Sequence, residues 1–138
     1  MHYCLARKRS CTKQVLEIVK EAVDQYHVAP CKPVKMMTDF KLAIINAYTA
    51  VFPGTVSGCY FHFSQIIYRR VQGDGLQDQY SDPLDRTVKW FTHMLVALAF
   101  IPEANVANSY AKLHRVCPQV LHNVFYEFNK YFISGRPG

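Results

Sequence analysis

Asp39 stands where a short apolar run, Val34 to Met37, gives way to an amphipathic segment. That is the junction at which a strand hands over to a helix. Open α/β sheets place their ligands at the carboxyl ends of strands, so this carboxylate is the first candidate for chemistry. The same position suits a helix N-cap, which is the plainer role for an aspartate there. Cys59-x-x-His62 has the spacing of half a zinc site, and His114-x-x-Cys117 could supply the other half. A packed thiol and a hydrogen-bonded imidazole at a strand-to-helix junction satisfy the first pair equally well. Arg69 and Arg70, with Gln65 and Gln72 beside them, are residue types that contact phosphates and base edges. On a solvated helix face they need no partner. Asp74, Asp78, Asp82 and Asp85 surround a turn and read as loop and cap residues. Glu127, between Tyr126 and Phe128, reads as the solvent side of an apolar helix.

The elements that must position these groups follow from the apolar spacing. His2–Ala6 is a short strand candidate, and Arg7-Lys8-Arg9-Ser10 reads as a polar turn, too short a basic run for an import signal. Val15, Val19, Ala22 and Tyr26 recur at four, three and four, one face of a helix. Pro30 and Pro33 deliver the chain into the strand ending at Met37. Strand, helix and strand in that order suggest a crossover between parallel strands. Phe40, Ala43, Ile44, Ala47, Tyr48 and Val51 form the stripe of the next helix. Pro53-Gly54 breaks it, a second short strand follows, and a third helix opens at Cys59-Tyr60. Beyond Gly73 and Gly75 no strand pattern appears. Leu84, Val88, Phe91, Leu95 and Leu98 mark one helix; Val106, Tyr110 and Leu113 a second; Leu121, Val124, Phe125, Phe128 and Phe132 a third, opened by Pro118.

With 138 residues the chain has the length of one domain. Half the residues are hydrophobic and 19% are charged, which argues against disorder. The formal charge of +6 permits a polyanionic partner without establishing one. Five cysteines without a repeating framework point to a reducing, intracellular compartment. No apolar leader is evident, and the longest apolar run, Met94 to Ile101, falls far short of the roughly 20 residues that span a bilayer.

One longer pattern runs through these pieces. Thr38-Asp39-Phe40, Ala43, Ala47, Phe52-Pro53, Gly58-Cys59 and Phe61-His62, continued by Gln65, Arg69, Gln72, Gly75-Leu76 and Tyr80, resemble the "TDF-x-x-A…A…FP…GC-x-FH" signature of Mutator-like element transposases. Ala97 to Pro102 is similar to that family's "ALAF-x-P" turn. The resemblance implies an α/β fragment of an RNase H-like fold over residues 1–80, a short and partly parallel sheet with helices. An all-α insertion over 81–138 follows it. It implies metal-dependent DNA cleavage and transfer by three carboxylates around Mg²⁺ or Mn²⁺, with Asp39 as the second acid. It also implies DNA as partner and a nuclear location, with no membrane and no small-molecule substrate. The family's first aspartate would precede this chain and its glutamate would follow it. The chain alone is therefore expected to hold no metal tightly and to cut no DNA. Lys41 replaces a glutamate common in the family, a cation next to the expected metal ligand. The alternative is a non-enzymatic DNA-binding or self-associating module derived from a transposase.

Overall fold

The computed structural model describes residues 2–26, 30 and 32–135, with side chains from residue 11 onward. It is mostly helical, with one small parallel sheet. Its contacts divide the chain into two compact units, one ending at His62 and one beginning at Phe63.

The first unit opens with a single helix, α1, over His2–Tyr26. The expected strand at His2–Ala6 and the expected turn at Arg7–Ser10 are both part of it. The physical reason is that no glycine or proline interrupts this stretch. A short polar–apolar alternation does not outweigh a run of good helix formers. The expected face of Val15, Val19, Ala22 and Tyr26 is exposed, while Leu16 and Val23 are half-buried.

β1 (Lys35–Thr38) and β2 (Thr55–Gly58) pair in parallel, Lys35 opposite Thr55 and Thr38 opposite Gly58. Between them α2 (Leu42–Val51) is the crossover that parallel strands require. The parallel pair thus joins the strands on either side of Asp39's helix, rather than the amino-terminal segment and the strand before Asp39. α2 packs against α1. Its stripe is the one read from the sequence, with Ala47 and Tyr48 buried. It ends at Phe52, which is extended, as the residue before a proline prefers.

Two close approaches hold this unit together. A Cβ on Gly58 would stand 2.6 Å from the Phe40 ring, and one on Gly54 would stand 2.3 Å from the Pro33 carbonyl. Only glycine lets the ring and the strand come this near. The ladder also runs on at both ends, with Thr55 N–H donating to Val34 O (3.1 Å) and Cys59 N–H to Thr38 O (2.9 Å).

The second unit is all-α. α3 (Tyr60–Gly73), which begins in the first unit, contributes Phe63, Ile67 and Val71. It closes in a Schellman turn: Gly75 N–H donates to Gln72 O, Leu76 N–H donates to Val71 O, and Gly75 has φ +75°. A short α4 (Gln77–Ser81) leads to α5 (Thr87–Ala97), which starts later than Pro83 and leaves Leu84 exposed. The Asp82 and Asp85 carboxylates accept the N–H groups of Leu84 and Thr87, the turn role read for them from the sequence.

α6 (Glu103–Val116) and α7 (His122–Phe128) follow, and α7 runs into a π-helical turn at Asn129–Ile133. Val71, Leu95, Leu121, Val124 and Phe125 are fully buried. Phe63, Phe128 and Phe132 form an aromatic cluster with centroids 5.0–6.0 Å apart. The buried Tyr110 hydroxyl donates to Phe125 O at 2.8 Å. Among the described residues no helix is long and apolar enough to cross a membrane.

Candidate functional site

Asp39 follows the last residue of β1, and Cys59 follows the last residue of β2. The register sets the two strand ends side by side, so both residues occupy the carboxyl edge of the parallel pair. His62 lies in the first turn of α3, which opens directly after Cys59. Residues read separately along the sequence therefore share one end of the β1–α2–β2 unit.

Asp39 is not the residue that caps α2; that position belongs to Lys41, and the helix begins at Leu42. The Asp39 carboxylate turns the chain into the helix from one step further out. Its Oδ1 accepts the Lys41 N–H at 3.2 Å, an Asx turn, and its Oδ2 pairs with Lys41 Nζ at 2.9 Å. The hydrogen bond from the Lys41 side chain holds the Asp39 carboxyl below its ordinary value. Desolvation opposes this, while the Lys41 N–H and the charges of Lys41 and His62 add to it.

Both oxygens of the expected metal ligand are thus engaged by Lys41. Among the described residues no three His, Cys, Asp or Glu side chains stand where one ion could be held.

The second cysteine–histidine pair sits in a different setting. The Cys117 thiol is buried, and desolvation pushes it above the usual thiol range. His114 stacks on Tyr110 at 5.8 Å and lies 5.7 Å from the His122 ring. His93, for which the sequence offered no partner, meets the Tyr80 hydroxyl at 3.0 Å through Nε2.

Arg69 and Arg70 lie near the end of α3 and have separate roles. Arg70 Nη2 pairs with Asp74 at 3.2 Å, and both Asp74 oxygens accept Asn123 Nδ2 at 3.1 Å, tying α3 to α7. Its Nε is out of solvent with no acceptor, a state that costs about 1–3 kcal/mol for a buried donor. Arg69 is exposed and forms no ion pair among the described residues. The sequence reading missed the pair of Arg70 and Asp74, for which the i, i+4 spacing is the signal; the link to Asn123 has no such signal, because that bond spans 49 positions.

No protein-family pattern, curated protein or solved structure matches this chain.

Proposed function

We propose that this chain is a segment of a Mutator-like transposase core, of RNase H-like type, whose inherited activity is metal-dependent DNA cleavage and transfer in the nucleus. One observation carries the reading. An aspartate at the carboxyl end of a strand, in a parallel β–α–β unit, lies beside the Cys59-x-x-His62 segment. That arrangement supports Asp39 as a metal-ligand position in a complete core. DNA is the partner, met by Arg69 and the rest of the positive charge. The packing of Phe40 on Gly58 gives two residues of the resemblance a physical reason to occur together.

A second reading rests on Lys41. Its ammonium sits on Asp39 Oδ2, where a divalent ion would bind. This favours a transposase-derived module that binds DNA and no longer cuts it. One measurement tests what both readings expect of the chain alone, and a second separates them. In a nicking assay with Mg²⁺ or Mn²⁺, the purified chain should leave DNA intact; cleavage abolished by Asp39→Ala would sink the claim that this polypeptide is inactive alone. The transcript on either side of the reading frame should encode an upstream strand aspartate and a downstream glutamate. Stop codons or unrelated sequence there would remove the cleavage reading and leave the DNA-binding one. That reading in turn requires DNA affinity that falls steeply with salt.

A further inference from the structure

A cavity of about 320 Å³ opens between α3, α7 and the π-helical turn, with Arg69, Arg70, Glu127 and Tyr131 in its lining. Its size is at the lower end of ligand pockets, roughly 300–1,000 Å³. The floor is apolar, with Ile67, Val124 and Phe128 buried, while the Tyr131 ring is 43% exposed. Arg69 forms no ion pair among the described residues, and Arg70, paired with Asp74, keeps its Nε without an acceptor. Lys130, outside the lining, holds its Nζ 5.2 Å from the Tyr131 ring centroid. π-helical turns of this kind occur often at functional sites.

The charges select the ligand. Arg69 and Arg70 favour an acidic group, and the apolar floor with an exposed tyrosine favours a flat ring. Glu127, also in the lining, repels a bare anion and accepts a hydrogen bond from an N–H donor. A nucleotide carries all three complements: phosphate, planar base, and an amino or imino N–H on the base. We infer that this pocket captures one unpaired nucleotide of single-stranded DNA, with its phosphate at Arg69 and Arg70, its base against Tyr131 and its N–H at Glu127. The inference deepens the DNA reading above and rests on it for the polymer, while the pocket itself is testable with a mononucleotide.

The test uses the full chain and three probes: a fluorescein-labelled single strand, the same sequence as a duplex, and a deoxynucleoside monophosphate followed by NMR. The single strand should bind more tightly than the duplex. Tyr131→Ala should weaken the single strand about five- to a hundredfold, the range for loss of one base stack, and leave the duplex unchanged. Arg69→Ala, on an exposed helix surface, should weaken it comparably, whereas Lys89→Ala, outside the pocket, should change it little. The mononucleotide should shift resonances of Tyr131 and Phe132. If duplex and single strand bind equally, and neither Tyr131→Ala nor the mononucleotide has an effect, the pocket inference is overturned while the DNA reading stands. If no DNA binds but the mononucleotide does, the DNA reading fails and the pocket remains a nucleotide site. If none of the probes binds, both are wrong.

Discussion

The two units solve the problem of burial differently. From Phe63 onward, helices at 3.6-residue period pool their apolar faces, and five side chains lose all contact with water. In the unit ending at His62, no described side chain is so deeply buried; Tyr48 and Phe52 are its most enclosed rings, 5.2 Å apart. Its sheet has two strands of four residues. So small a sheet is marginal by itself, and parallel sheets normally have both faces covered. Here Val34 and Met37 are open, as are Val15, Ile18 and Val19 on α1. The catalytic candidate thus lies in the weakly buried unit, where an Asx turn, two glycine contacts and a short ladder hold it. The Arg69 pocket lies in the well-packed one.

Four perturbations should separate the units in order of size. Phe125→Ala empties a fully enclosed site and should cost about 3–5 kcal/mol, read as a lower urea midpoint followed by the near-ultraviolet signal. An unchanged midpoint would mean that the second unit does not govern global unfolding. Gly58→Ala forces the Phe40 ring away and should cost about 1–3 kcal/mol. It should speed hydrogen exchange in β1, α2 and β2, leaving amides of α5 to α7 as they were. Gly75→Ala places a side chain at φ +75° and should cost roughly 1–2 kcal/mol, visible as fraying at the end of α3. Fraying in β1 or β2 instead would contradict the division between the units.

The smallest effect is electrostatic. Because the Asp39 carboxyl is lowered when folded, its ionised form favours the native unit. That contribution is present above the unfolded value and is lost as pH falls through the lower folded one. Lys41→Ala should move the Asp39 carboxyl back up in a carbon-detected NMR titration. No movement would show that Lys41 is not its principal partner.

Much of this was legible along the chain. The stripe of α2 and the buried face of α7 were correct because helical periodicity is local and both stretches carry enough large apolar residues to display it. The strand–acid–helix–strand order around Asp39 was equally clear, since Pro53-Gly54 punctuates it. His2–Ala6 misled because five residues are too few to distinguish an alternating strand from the start of a long helix. The face of α1 misled because spacing shows which residues share a side and does not say whether anything covers that side.

By itself, the sequence determined the strand–helix–strand order around Asp39, the helical character of the chain beyond Gly75 and its basic charge. Tertiary structure decided which strands pair, which places Asp39 beside Cys59. It also decided that Arg70 is tied to Asp74 while Arg69 forms no ion pair among the described residues, and that Glu127, read as a solvent-side residue, lines a pocket with Tyr131. These outcomes depend on contacts between residues tens of positions apart. Periodicity carries no information about such contacts, because it describes each element without the surface that it meets.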